Sequence, residues 1–458
     1  MVINMEKELV FEEKGKKLKS FKYLLLLAIP MFMELLLQLI VGYSDQIMMR
    51  QYKTAVAAIT NANSILNIVI NVFTVFSSAA IILITQYKGS KNEINEKKVY
   101  SASFFFNTIV AILISVILLL FGRYFLKLIK CPDEAYKEAV KYLMITGGLI
   151  FMQLISITFA ALLKANSLMR ESMIINVIVN ILNIIGNFIL IPKYKIEGVA
   201  IASAGSRFIG LILMIIIYKI KVGVKLEFKE FISSLKMVKK YVGIGVPISS
   251  ESFSYQTSQL IILIVINSYG TDIVNIKTYA SMFAVVTYMI TEAVSLAMQV
   301  VIGELMGRGE IEETKKKVWQ TLALGVIAST VVATFFVLTA KVDFKLFNIT
   351  DHDLLKIAQR VMIVDLILEV GRAFNIIFVR TLQTSGDILF PTILSIVFCW
   401  VVAVGGSFVI GGKEFLGYGL VGVWVAMALD ECFRAIIFLF RFKSGKWIRF
   451  KKREEEVL

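Results

Sequence analysis

The sequence is short of the residues that make soluble surfaces and reactive centres. Only 18% of its 458 residues are charged, against about 25% in ordinary soluble domains. A soluble chain of this length would divide into several domains joined by polar linkers, and no such linkers are present. Three cysteines, Cys131, Cys399 and Cys432, lie far apart with no paired spacing, so neither a disulfide framework nor a zinc motif is indicated. The one histidine, His352, sits in a polar gap between Asp351 and Asp353. That excludes chemistry built on several histidines. With no nucleophile cluster and no metal-ligand set, the chain is not expected to be an enzyme. Five prolines leave long stretches free to be helix. Residues 1–20 are polar and no small-residue cleavage pattern follows the first apolar run, so that run is expected to act as its own insertion signal.

What the sequence does have is apolar length. Hydrophobic residues make up 57% of the chain, gathered in runs of about twenty residues, the length that crosses a bilayer core as helix. The pattern predicts an all-α polytopic membrane protein with twelve transmembrane helices. They run near 21–43, 55–85, 100–121, 141–163, 173–191, 198–218, 241–268, 276–302, 318–340, 357–379, 388–410 and 417–440. The net charge of +15 would suggest nucleic acid in a soluble protein. Here the basic residues sit at helix ends, so no nucleic-acid partner is expected. The alternate gaps that include both termini hold about twice as many Lys and Arg as the others. Both termini are therefore expected in the cytoplasm of a cell-membrane protein.

The two halves of the chain resemble each other. Pro30-x-x-x-Glu34 answers Pro247-x-x-x-Glu251, 217 residues on. Gly89 through Lys97 answers Gly307 through Lys315, and Lys164 answers Arg380. Gly198-Val-Ala-Ile-Ala answers Gly422-Val-Trp-Val-Ala. The expected organisation is a tail at 1–20, a six-helix bundle at 21–219, a basic connector at 220–240, a second bundle at 241–441 and a tail at 442–458. Parallel repeats of this kind predict pseudo-twofold symmetry along the membrane normal and a site near the midplane. Two internal halves remove any need for a dimer, so a monomer is expected. The connector alternates apolar and cationic residues, as an amphipathic segment on the inner bilayer surface would.

A carboxylate near a helix centre costs about 2.5–3.5 kcal/mol on insertion scales, so acids within the spans must face the interior or find partners. Glu34, Gln38 and Asp45 share one face of the first span, because eleven helical steps nearly complete three turns. Two acids on one apolar helix suggest a path for a cation, with Asp45 and Glu34 as coupling groups. Glu251, Tyr255, Ser258 and Gln259 form a comparable stripe in the seventh span. Pro30 and Pro247 would each weaken the helix beside these acids and are candidate hinges. Asn176, Asn180, Asn183 and Asn187 line one face of the fifth span, and Asn63, Asn67, Asn71 and Thr74 repeat the idea in the second. Amides so placed either line a cavity or bond neighbouring helices. Glu369, Arg372 and Asn375 follow one another at three-residue spacing, and Asp430 and Glu431 fall one turn before Arg434. Such pairs either lock helices together or belong to an interior ion network.

These residues resemble the multidrug and toxic compound extrusion (MATE) family of secondary transporters, part of a wider family that includes lipid-linked oligosaccharide flippases. The resemblance rests on Ala28-Ile-Pro30, Tyr43-Ser-Asp45-Gln-Ile-Met48, Gln86-Tyr-Lys-Gly89, Asn183-Ile-Ile-Gly-Asn187, Gly198-Val-Ala, Gly243-Ile-Gly-Val-Pro247 and Thr384-Ser-Gly-Asp387 with Pro391. It implies a V-shaped pair of six-helix bundles exporting a small organic substrate, cationic or amphiphilic, against inward Na⁺ or H⁺. It implies no cofactor beyond that ion. Asp45 occupies the position of the family's coupling acid. Asn187 stands where some branches carry aspartate, and Glu251 lies in the helix where others carry an essential acid. The alternative reading is a flippase for a lipid-linked sugar. Twelve spans and more interior acids than bases favour an organic cation.

Overall fold

The structure is a computed structural model and describes residues 2–42, 48–49, 53–129 and 131–449. Among the described residues every regular element is helical. The first elements are α1 (Val2–Lys19), α2 (Phe21–Gly42), α3 (Lys53–Gly89), α4 (Glu93–Leu128) and α5 (Asp133–Gly148). There follow α6 (Ile150–Ala165), α7 (Met169–Lys221), the short α8 (Phe228–Ser233), α9 (Leu235–Asn267) and α10 (Thr271–Arg308). The chain ends with α11 (Ile311–Leu346), α12 (His352–Thr384), α13 (Leu389–Phe398) and α14 (Gly419–Lys443). After α13 the chain continues as two π-helical stretches, Cys399–Val404 and Ser407–Gly411.

The twelve expected spans map onto these helices. Seven are long and apolar enough to cross a bilayer, and an eighth span is the pair α5–α6, bent by 43°. Helix α7 carries two spans, because its 53 residues are broken at Lys195, where φ is 49°. Helices α9, α12 and α14 complete the set. They are less apolar because they hold the interior polar residues, Glu251, Asp365 and Asp430 among them. At about 1.5 Å per residue a helix such as α3 is roughly 55 Å long, against about 30 Å of hydrocarbon, so its ends reach into water.

Contacts between gaps follow the expected alternation of sides. Within the N-terminal half, Lys88 meets Asn166, which donates to Tyr100 Oη at 2.7 Å, and Lys240 donates to Tyr87 Oη at 2.9 Å. All belong to gaps expected on one side. On the other side Lys141 pairs with Glu197 at 2.7 Å. In the C-terminal half, Arg441 Nε donates to Asp387 at 2.8 Å, and at the opposite helix ends Tyr269 donates to the Gly411 carbonyl at 2.6 Å.

The repeat has a backbone explanation. At Gly198 a Cβ would lie 2.5 Å from the Leu190 carbonyl oxygen, and at Gly422 one would lie 2.7 Å from that of Ile410. Both glycines let a span start directly against the backbone of the span before it. Gly198→Ala and Gly422→Ala should each lower stability by about 1–3 kcal/mol, the usual overpacking cost. Thermal unfolding of the purified variants measures this, and an unchanged midpoint in both would refute the shared role. The connection after the second span repeats too. Lys91 (φ 57°) and Gly309 (φ 76°), 218 residues apart, both adopt the left-handed conformation.

The chain divides into two compact units: Met33–Ser249, and Met1–Phe32 together with Ser250–Leu458. Each has its own apolar core, one including Leu66, Tyr142 and Val199, the other Ile262, Phe344 and Val423. This division departs from bundles at 21–219 and 241–441. Helix α1 is not a loose tail: it is held to the end of α10 and the turn after it by Lys14–Glu304 and Lys19–Glu310 ion pairs, both at 2.7 Å. Arg308 donates to the Phe11 carbonyl at 3.0 Å and stacks on its ring. The connector and the start of α9 belong with the N-terminal helices instead. Phe228 and Phe231 meet Phe105, Tyr241 donates to Asn107 at 2.9 Å, and Gly245 lies against Phe76. The unit boundary therefore falls inside α2 just after Pro30 and inside α9 just after Pro247.

Candidate functional site

In the C-terminal unit, α12 and α14 meet along a charged seam buried in the protein. Gly371 makes the approach possible: a Cβ there would lie 3.1 Å from the Cys432 nitrogen and the Glu431 carbonyl carbon. One turn on, Asn375 Nδ2 donates to the Glu431 carbonyl at 2.8 Å and to its Oε2 at 2.5 Å. Arg434 grips Asp430 through Nε at 3.0 Å and Nη2 at 2.5 Å, and its Nη2 lies 3.2 Å from Glu431 Oε1. Arg372 pairs with Glu369, lies 3.7 Å from Glu431 and rests over the Tyr288 ring. Asp365, one turn before Glu369, accepts from Trp424 Nε1 at 3.0 Å.

The arithmetic of this seam matters more than any one bond. Four carboxylates, of Asp365, Glu369, Asp430 and Glu431, face two guanidiniums. Asp365 Oδ2 and Glu369 Oε2 are buried with no hydrogen-bond partner among the described residues. An uncompensated carboxylate in a water-poor interior is expensive. Carboxylate oxygens without donors are the kind of ligand that a proton or a hard cation takes up. Glu251, from α9 in the same unit, accepts from Gln383 at 3.1 Å. Tyr255, one turn beyond it, is 40% exposed.

The N-terminal unit arranges its acid differently. Glu34 is buried, and its Oε1 accepts from both Lys164 Nζ and Asn176 Nδ2 at 3.0 Å. Its other oxygen has no partner among the described residues. The corresponding cation of the second half, Arg380, pairs with Glu292 at 2.5 Å rather than with Glu251. Basic residues at repeat-equivalent positions thus take different acids. Asp45 lies outside the described residues.

The asparagine face of the fifth span divides by function. Asn176 serves Glu34, whereas Asn183 donates to Ser203 at 3.0 Å and Asn187 to Asn183 at 3.4 Å, both buried. Asn183 thus bonds the fifth span to the sixth, and Asn187 supports it from within its own helix. Asn180 is half-buried. The second span is the opposite case. Thr60, Ser64, Asn67, Asn71 and Thr74 are all exposed, on one stripe at i, i+4, i+7, i+11 and i+14. Thr60, Ser64 and Thr74 turn their hydroxyls onto carbonyls of their own helix. The amides of Asn67 and Asn71 are left to project. An exposed polar stripe on a bilayer-crossing helix suits a water-filled space rather than lipid.

Sequence reasoning missed several members of these clusters. Lys164 and Arg380 were visible as repeat markers, but not their partners. Tyr288 and Gly371 carried no local signal, and Trp424 was visible only inside the Gly422 repeat marker, since the partner of each lies on a helix far away in sequence.

A polytopic helical chain with two repeated halves and acids buried in its spans has the architecture of a membrane transporter. The MatE family profile matches residues 30–189 and 247–409, and the chain belongs to that family. It is 30% identical over 456 residues to the uncharacterized transporter YisQ of Bacillus subtilis, covering 97% of this chain and 99% of that protein. It is 23% identical to a probable multidrug resistance protein NorM of Thermotoga maritima, covering 93% of each. An outward-facing structure of a multidrug resistance MATE transporter of the MOP superfamily superposes with a TM-score of 0.84 at 19% identity. That match covers 94% of this chain and 98% of the other.

Proposed function

We propose that this protein is a cation-coupled antiporter that exports organic, cationic or amphiphilic compounds by alternating access. The observation that carries the proposal is the surplus of buried carboxylate over guanidinium on α12 and α14, with Asp365 Oδ2 and Glu369 Oε2 unpartnered among the described residues. A cation that binds there in one state and leaves in the other supplies the differential affinity that coupling requires. The named multidrug resistance relative supports the substrate class, and the exposed Asn67–Asn71 stripe supports a wet path along the N-terminal unit. Asp45 joins the scheme as a second coupling acid. Glu34 is reserved for positioning, since Lys164 already neutralises it. The basic gaps support a cell-membrane protein with both termini cytoplasmic, and the two internal repeats support a monomeric working unit.

The experiment is ethidium transport by the purified protein in proteoliposomes under separately imposed Na⁺ and H⁺ gradients. One gradient should drive accumulation, and Asp45→Asn should abolish it while the protein stays folded in the membrane. Transport at the wild-type rate with that substitution removes Asp45 from the scheme. If neither gradient moves any organic cation, a lipid-linked substrate becomes the better reading.

A further inference from the structure

The N-terminal unit carries a cavity outside the clusters described above. It has a volume of 510 Å³ and lies where the start of α4 faces the connector between α7 and α8. Its lining includes Lys97 and Lys98 from the first turns of α4, and Lys225, Glu227 and Glu230 from the connector and α8. Among the described residues none of these lysines has an ion-pair or hydrogen-bond partner, although two carboxylates line the same space. The connector is fixed against α4: the Glu227 backbone nitrogen donates to the buried Ser101 hydroxyl at 3.1 Å, and Phe228 and Phe231 meet Phe105.

Around this cavity the apolar residues point outward. Ile94, Ile220, Phe228, Ile232 and Leu235 are each more than half exposed, at the level where α4 begins and α7 ends. Five large apolar side chains in water would be costly, whereas at the acyl boundary of a bilayer they are stabilising. The cavity thus lies at the level of the headgroup layer and holds both cationic and anionic side chains. We propose that it binds the headgroup of an aminophospholipid, the phosphate towards Lys97, Lys98 and Lys225 and the primary ammonium towards Glu227 and Glu230. A purely anionic lipid satisfies the lysines but meets the two glutamates as like charges. A choline lipid offers those glutamates no N–H donor.

Native mass spectrometry of the full-length protein, released from detergent micelles with equimolar dioleoyl phosphatidylethanolamine, phosphatidylglycerol and phosphatidylcholine, tests this. The wild type should retain the ethanolamine lipid over the other two. A surface lysine is worth about 1 kcal/mol, or roughly fivefold, towards a lipid phosphate, so Lys97→Gln with Lys98→Gln should weaken its retention by at least about that factor. Glu227→Gln with Glu230→Gln should weaken it as well, and should raise retention of phosphatidylglycerol. Lys341→Gln with Lys345→Gln, at the far end of α11, serves as the charge control and should change nothing. The proposal is overturned if phosphatidylglycerol outcompetes the ethanolamine lipid in the wild type, or if both cavity variants retain it unchanged. Displacement of the lipid by millimolar inorganic phosphate would also overturn it, pointing to a soluble phosphate as the occupant.

Discussion

Arg434→Ala should be the most damaging single substitution in the protein, lowering its stability by about 3–5 kcal/mol, the usual result of stripping one partner from a buried ion pair. The guanidinium is 7% exposed and holds Asp430, itself 3% exposed, by a two-pronged contact while also touching Glu431. Removing it leaves two adjacent carboxylates with only Arg372 and Asn375 in reach, the former 3.7 Å away and already committed to Glu369. Arg434→Lys should recover part of the loss, because it restores the charge without the fork. Arg434→Gln combined with Asp430→Asn should recover more, because it removes the unpaired charge along with its partner. Thermal unfolding of the purified variants, followed by loss of the monodisperse species, gives the comparison. A cost below about 1 kcal/mol for the alanine variant would mean that these carboxylates are not held ionised by Arg434.

The second large effect concerns transport with folding intact. Asp365→Asn keeps the oxygen that accepts from Trp424 and removes the charge; Glu369→Gln does the same for the carboxylate beside Arg372. If the seam's surplus charge is where the coupling cation sits, each variant should fold and bind substrate yet lose concentrative export. In one-for-one exchange with a monovalent substrate no net charge crosses, so a tenfold gradient of the coupling cation supplies about 1.4 kcal/mol, or about tenfold accumulation. The ratio of ethidium across the vesicle membrane should therefore fall from that range towards one, with facilitated equilibration surviving. Full accumulation by both variants would separate the seam from coupling and return it to a structural role.

Much of the fold is legible in the sequence because it depends on short periods and on composition. The apolar runs, the alternation of basic gaps and the duplicated markers each depend on residues close together or at a constant offset. The Gly198 and Gly422 markers are informative for a physical reason, since both sit against a carbonyl of the preceding span. The helical stripes of asparagine were readable as stripes, but not as to what they face. Asn183 bonds Ser203 and Asn187 bonds Asn183, both buried, while Asn67 and Asn71 stay exposed, and nothing in the spacing distinguishes the two. Longer-range pairings were beyond reach. Lys164 meets Glu34 across 130 residues, and Lys14 meets Glu304 across 290. The docked α1 is the clearest case. Its pattern of charges resembles a solvated tail, and only the facing acids Glu304 and Glu310 give it a place.

The division of the chain within α2 and α9 has a consequence for how such a molecule can be assembled. Cutting the backbone in the connector, between Gly223 and Val224, would not yield two self-sufficient halves. The first fragment would carry α1 and the opening turns of α2, which belong with the second fragment's helices. The second fragment would carry α8 and the opening of α9, which belong with the first fragment's. Each piece on its own would leave a groove meant for the other's leading segment. A single-repeat protein built on this plan would close only by trading those segments with a second copy, as an exchanged dimer does. In the full-length chain that trade is made covalent, and it crosses between the units at two places only, each just after a proline.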